Sequence, residues 1–279
     1  MVEFRLPLKD RVVKGERIDF SKGAAKTLTL FVYRFNPELP HNPRLDEICI
    51  DRKKAGSMVL DTLMYIKGYV VPDLAFRRSC REGVCGSCAM NIDGQNKLAC
   101  IEPLKDRKSL TIYPLPHQPV LKDLVPDLTH AYAQYASLEP WMKAEPMKEE
   151  ALQEEENNKD LNVEKREQRQ MPEQRALLDG LWECVLCFCC STSCPSYWWN
   201  GDQYLGPATL LQAARWVEDS RDTHEAERMQ RLEGPFSLYR CHTILNCTQA
   251  CPKGLNPASA IQKLKNKCVA ESLKPVKTS

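Results

Sequence analysis

The sequence predicts an α+β chain built from two units, and three observations carry that prediction. Short segments of the first half alternate apolar and polar residues as strands do, whereas the second half spaces apolar residues at helical intervals. Between them runs a charged stretch with no aromatic residue from Trp141 to Trp182, too poor in apolar side chains to build a core. A length of 279 residues allows two cores, predicted as 1–135 and 177–279 with a linker at 136–176.

In chain order, LTLFVYRF (28–35) is rich in aromatic and β-branched residues, and ICID (48–51) and SLTIYP (109–114) alternate. MNIDGQNKLAC turns at Asp93-Gly94 as a hairpin does. SMVLDTLMYIKG predicts a helix capped by Ser57, with Val59, Leu63 and Ile66 on one face and an end near Gly68. In the second half PATLLQAARWVED opens on Pro207 and lines up Leu210, Ala213, Ala214 and Val217. Asn256-Pro257 opens a further helix through Ile261 and Leu264.

Charge excludes one class of function. With 39 basic and 37 acidic residues and a net +2, there is no sustained basic patch for nucleic acid. The N-terminus MVEFRLPLKDRVVKGERIDF has no apolar signal core, so no secretory or transit peptide is predicted. Reduced thiols follow, and fourteen clustered cysteines then point to metal rather than to disulfides. The uncharged run 184–201 contains serines, a threonine, a proline and an asparagine, and is not expected to cross a membrane by itself.

Cysteine spacing carries the chemistry. Cys80-x4-Cys85-x2-Cys88, followed by Cys100, has the plant-type 2Fe-2S order, in which a loop wraps the cluster. Gly83 and Gly86 suit a loop that turns tightly and aims N–H groups at sulfur. The run Cys184-x2-Cys187-x2-Cys190-x3-Cys194-Pro195 is that of bacterial ferredoxins, whose fourth cysteine serves the other cluster of a pair. Its partner is Cys241-x5-Cys247-x3-Cys251-Pro252, in which Ile244 occupies the second cysteine's place.

Under the crossing rule Cys184, Cys187, Cys190 and Cys251 supply a 4Fe-4S cluster, while Cys194, Cys241 and Cys247 supply only three thiolates, enough for 3Fe-4S. Fewer thiolates mean less negative charge, which places that centre toward the high-potential end. Eleven of the fourteen cysteines are thereby used. Cys49 and Cys268 read as core residues, and Cys189 competes with Cys190, but only Cys190 keeps both gaps. With no G-x-G-x-x-G, no Walker motif and no zinc-protease histidines, the chain reads as a relay between partners that hold the reactive cofactors.

The stretches SCREGVCGSCAMNIDG, ECVLCFCCSTSCPSYWWNGDQYLGPA and GPFSLYRCHTILNCTQACPKGLNP closely resemble the iron–sulfur subunit of succinate dehydrogenase, respiratory complex II, over about residues 27–269. Fumarate reductase subunits share the cysteine frame and remain the alternative; Tyr197-Trp198-Trp199 favours the dehydrogenase branch. The resemblance implies a plant-ferredoxin-like β-grasp unit followed by an all-helical, bacterial-ferredoxin-like unit. It implies a flavoprotein partner whose FAD oxidises succinate to fumarate, integral membrane anchor subunits, and ubiquinone as acceptor, and it allows haem b in the anchor. The chain would lie peripherally on the inner face of a respiratory membrane.

Carried over residue by residue, the quinone side comprises Pro195, Ser196, Trp198, Trp199, His242 and Ile244. Tryptophans suit a boundary apolar on one side and wet on the other, and an indole N–H can donate to a quinone oxygen. The plainer alternative packs both indoles into the helical core. Histidine is a residue type that suits proton delivery to a reduced quinone, as at His242, and Ser196 is equally suited to a turn. A four-thiolate zinc scaffold is the non-redox alternative.

Overall fold

A computed structural model describes residues 11–39, 43–144 and 168–272. The strands β1 (Val13–Phe20), β2 (Thr27–Arg34), β3 (Arg44–Asp51), β4 (Ala89–Ile92), β5 (Gln95–Leu98) and β6 (Ser109–Tyr113) form one mixed sheet in the order β1-β3-β2-β6-β4-β5. Strand β3 lies parallel to β1 and antiparallel to β2; β2 runs parallel to β6, and the β4–β5 hairpin closes the far side. The turn forms at Asp93-Gly94 as expected, both at positive φ, as a tight two-residue connection requires.

Helix α1 (Val59–Tyr69) crosses the sheet and buries Val59, Leu60, Leu63 and Ile66 against Leu28, Leu30, Ile48 and Ile50. Its cap differs from the expectation. Met58 is the N-cap, and the Asp61 carboxylate accepts from the backbone N–H groups of Ser57 and Met58 at 3.3 and 3.0 Å. A carboxylate in the first turn satisfies those donors and complements the helix dipole, and the N–H groups of Val59 and Leu60, which a Ser57 cap would serve, donate to Glu102 O and Ala99 O at 3.0 and 2.9 Å.

Strand β1 was not legible in the sequence. It has no buried residue, and it exists because it pairs with β3. At its register shift a Cβ on Gly15 would stand 2.1 Å from Asp46 Oδ1, so only glycine fits.

A short β-pair, β7 (Val120–Lys122) with β8 (Val125–Pro126), leads into α2 (Thr129–Ala136). From residue 168 onward the described chain is helical: α3 (Pro172–Ala176), α4 (Cys189–Thr192), α5 (Pro195–Asn200), α6 (Gly206–Glu218), α7 (Glu225–Leu232), α8 (Asn246–Gln249) and α9 (Pro257–Ser272). The second core gathers Leu210, Ala213, Ala214 and Val217 of α6 with Ile261 and Leu264 of α9, as their spacing predicts. The boundary expected at residue 135 falls inside α2, whose Ala131 and Tyr135 face the helical side. Most of the charged linker, residues 145–167, lies outside the described residues. None of the described helices is long and apolar enough to cross a membrane.

Candidate metal centres

All fourteen cysteines are free thiols. Three groups of them sit at the ends of local backbone devices. In the first, the loop after Arg78 folds over Cys80, whose sulfur accepts the backbone N–H groups of Glu82, Val84 and Cys85 at 3.5, 3.3 and 3.3 Å. Those donors, that of Glu82 foremost, bring the Cys80 thiol down to about 6, so the loop itself favours a thiolate. Gly83 and Gly86 supply positive φ, as does Arg81. The Ser87 hydroxyl donates to Cys85 Sγ at 3.1 Å. Cys88 and Cys100 approach from the core side, where burial raises the Cys88 thiol to about 12.

The other two groups share one backbone design. After Cys184, Leu186 and Phe188 take positive φ (50° and 59°), and α4 begins with the next residue. After Cys241, Thr243 and Leu245 do the same (57° and 69°), followed by α8. Left-handed residues at these positions bend the chain around a centre, which costs strain in non-glycine residues that the surrounding packing must offset. Ile244 stands where Cys187 stands in the first run.

Each run then donates its last cysteine to the other's cavity. One small space is lined by Cys184, Cys187, Cys190 and Cys251, with Phe188, Ala208, Leu211 and Leu255. A second is lined by Cys194, Cys241 and Cys247 together with Tyr204, Pro207 and Leu245. A wall formed by Phe188, Cys190, Ala208, Cys247 and Ala258 separates them. Burial raises the thiols of Cys184, Cys190, Cys194, Cys247 and Cys251, so bare thiolates would be costly there without a positive partner. Among the described residues, no three His, Cys, Asp or Glu side chains converge on a point fit for one metal ion. Thiols set around a cavity suit a polynuclear core.

The first loop meets the second directly. A Cβ on Gly86 would come within 2.6 Å of Val185 O and 3.1 Å of Cys187 Cα. Only a glycine permits that approach, which puts the Cys80–Cys88 loop in direct contact with the Cys184–Cys190 run.

Cys189 is fully buried, packs with the core of the sheet rather than into either cavity, and has its thiol raised first by a hydrogen bond with Cys187. Cys268 is buried in α9 and Cys49 half-buried in β3.

Pro195, Ser196, His242 and Ile244 line the three-thiol cavity. Ser196 is buried and, with its own backbone N–H, hydrogen-bonds the Cys194 sulfur, which opposes the effect of burial on that thiol. His242 is exposed. Trp199 is 81 % exposed, and Ile244 and Leu245 about half exposed, so Trp199 is no core residue. Trp198 behaves differently. Its indole N–H donates to Thr192 O at 2.8 Å and its ring stacks on His117 at 4.3 Å, so that donor is already engaged rather than free for a headgroup.

Sequence reasoning did not single out Tyr204. It is fully buried in the wall of the three-thiol cavity, and its hydroxyl has no hydrogen-bond partner among the described residues. Burial, then the nearby Cys241 and Cys194, push its phenol far up. No local pattern marks such a residue, because its role depends on what the folded chain sets opposite it.

Comparison with known proteins agrees with this geometry. The family of 2Fe-2S iron–sulfur cluster binding domains matches residues 29–133, and the family of 4Fe-4S dicluster domains matches residues 183–256. A chain of the Mycobacterium smegmatis Sdh1 complex in the apo form has the same fold, with a TM-score of 0.73 and 24 % identity over 91 % of this chain and 100 % of that one. A hypothetical protein from Helicobacter pylori shares it more loosely, with a TM-score of 0.51 and 16 % identity over 91 % of this chain and 42 % of its own. The succinate dehydrogenase iron–sulfur subunit of Paracoccus denitrificans is 53 % identical over 270 residues, 96 % of this chain and 98 % of that protein. On that near full-length identity, and with both cluster-domain families matched in order, the chain belongs to the succinate dehydrogenase iron–sulfur subunits, the electron-transfer subunits of that oxidoreductase.

Proposed function

We propose that the chain relays electrons through three centres held by Cys80, Cys85, Cys88 and Cys100 (2Fe-2S), by Cys184, Cys187, Cys190 and Cys251 (4Fe-4S), and by Cys194, Cys241 and Cys247 (3Fe-4S). When bound, each cluster takes up and releases one electron, and the series joins a FAD subunit that oxidises succinate to ubiquinone at a membrane anchor. The observation that carries this reading is the crossing of the two runs, with Cys251 in the wall of the first cavity and Cys194 in that of the second.

The protein's own part is to hold, insulate and align. Backbone N–H groups at Cys80 lower the cost of a thiolate, the apolar residues around the cavity of Cys184, Cys187, Cys190 and Cys251 exclude water, and Ile244 withholds a fourth ligand from that of Cys194, Cys241 and Cys247. In this reading residues 1–135 form a plant-ferredoxin-like β-grasp unit and 177–279 a helical ferredoxin-like unit, joined by 136–176. Pro195, Ser196, Trp198, Trp199, His242 and Ile244 form the quinone side. Trp199, Ile244 and Leu245 are large apolar residues left open there, as docking onto apolar anchor helices requires. Trp198 holds its place through Thr192 and His117 and offers a ring face rather than its N–H. The chain would sit peripherally on the inner face of the membrane, and haem b, where the anchor contains it, would lie beyond His242.

Electron paramagnetic resonance on the intact complex tests the assignment. A three-iron signal in the oxidised sample and two further reduced-state signals after dithionite are expected; stoichiometric zinc with negligible iron would overturn it.

A further inference from the structure

Two buried tyrosines stand side by side next to the three-thiol cavity, with ring centroids 6.4 Å apart. Their hydroxyls are treated differently. That of Tyr197 donates to Gln134 Oε1 at 2.8 Å. That of Tyr204 has no well-formed hydrogen bond among the described residues, although the residue is 0 % exposed, and it lies beside the Cys241 sulfur. A buried hydroxyl without a full hydrogen bond is costly, so such groups are rare unless something beyond the protein's own side chains completes them.

Tyr204 is held firmly. Its backbone N–H donates to Asn200 O at 2.7 Å, its carbonyl accepts from Gln134 Nε2 at 3.1 Å, and α6 begins two residues later. The ring itself is fully buried and packs edge-on against Tyr197. The cavity it lines carries the thiols of Cys194, Cys241 and Cys247, with Ser196, His242, Thr243 and Asn246 as its other polar residues.

We propose that the Tyr204 hydroxyl donates a hydrogen bond to a sulfur of the centre held by Cys194, Cys241 and Cys247, and thereby raises the reduction potential of that centre alone. The inference rests on the three-iron assignment above. One-electron reduction adds negative charge to the sulfurs; an O–H aimed at them stabilises the reduced form more than the oxidised form, and the proton stays on the phenol. Among the described residues, neither the cavity of Cys184, Cys187, Cys190 and Cys251 nor the sulfurs of the first loop have a comparable tyrosine. Tyr204 thus acts as a positioning residue that helps to order the potentials along the series.

The test is a redox titration of the intact complex followed by paramagnetic resonance, comparing the parent with Tyr204→Phe. Loss of the donor is expected to weaken reduction of the three-iron centre about threefold to tenfold, a fall of about 30 to 60 mV at 59 mV per tenfold for one electron. The other two potentials should stay fixed. An unchanged three-iron potential with an intact signal overturns the inference, as does an equal shift of all three. If the Phe variant fails to assemble, the parent grown with 3-fluorotyrosine, a more acidic donor, should show the three-iron potential raised; no shift there is equally fatal. Absence of any three-iron signal in the parent would instead sink the cluster assignment, and this inference with it.

Discussion

Asn96, on the edge strand of the sheet, donates from Nδ2 to the Oγ1 of Thr192 at 2.9 Å, across the boundary between the sheet and the helical side. The same amide reaches Ser193 Oγ at 2.8 Å and Cys189 O at 3.3 Å, while its Oδ1 accepts from Asn91 at 2.8 Å. Both Asn96 and Thr192 are buried. One side chain thus fixes the turn carrying Cys189 and Cys190 against the hairpin that follows Cys88. Replacement by Leu leaves buried acceptors unsatisfied, and a loss of about 2–3 kcal/mol is expected. Thermal melting of the loaded protein measures it; an unaltered midpoint would show that the amide does not couple the two sides.

Gly86 sets the approach of the first centre to the second. Alanine at φ +72° is strained, and its Cβ would overlap Val185 O, a combination worth at least about 1–3 kcal/mol. Gly86→Ala should therefore separate the two loops and weaken magnetic coupling between the first two centres. Power saturation of the reduced 2Fe-2S signal reads that change, and identical relaxation in the variant would refute the contact.

Ile244 occupies the place of Cys187 within a backbone turn of the same shape. Ile244→Cys should supply a fourth thiolate, so the oxidised three-iron signal should disappear while a reduced four-iron signal appears. A folded variant that kept the three-iron signal unchanged would argue that the ligand position is elsewhere.

Asp222 pairs with Arg228 at 2.6 Å, both nearly buried, and that guanidinium also donates to the carbonyls of Leu138, Glu139 and Trp141. Burial by itself would raise the Asp222 carboxyl, but hydrogen bonds from Arg228 and from the backbone of Lys143 and His224 outweigh it and hold the group below its ordinary 3.8. A depressed carboxyl stabilises the fold fully above the unfolded value and loses that contribution as pH falls through the folded one. The melting temperature of the parent should thus drop more steeply below about pH 4 than that of Asp222→Asn. At pH 7 the variant should be less stable by about 3–5 kcal/mol, because the buried guanidinium loses its charge partner. Parallel acid limbs in the two proteins would refute the pairing as the source.

Much of the site was written in the chain order. The two cysteine runs, the isoleucine in the second, and the glycines of the first loop are local patterns, and ligand spacing is a local constraint. The helices around Leu210 and Ile261 were legible for the same reason, since their apolar faces repeat within a few residues. Strand β1 escaped because an edge strand with no buried residue has no alternation to read. The cap of α1 escaped because the donors a Ser57 cap would serve, the N–H groups of Val59 and Leu60, go instead to Glu102 O and Ala99 O, far along the chain.

By itself, then, the sequence determined how the cysteines are spaced and grouped, and that a sheet unit precedes a helical one. Only the tertiary structure decided that Gly86 touches Val185, that Asn96 ties the hairpin to Thr192, that the Trp198 N–H is already engaged, and that the Tyr204 hydroxyl is left facing sulfur. Periodicity and spacing encode contacts within a segment. The partners of a buried donor are set instead by segments far apart in the chain, whose approach depends on packing of the whole core.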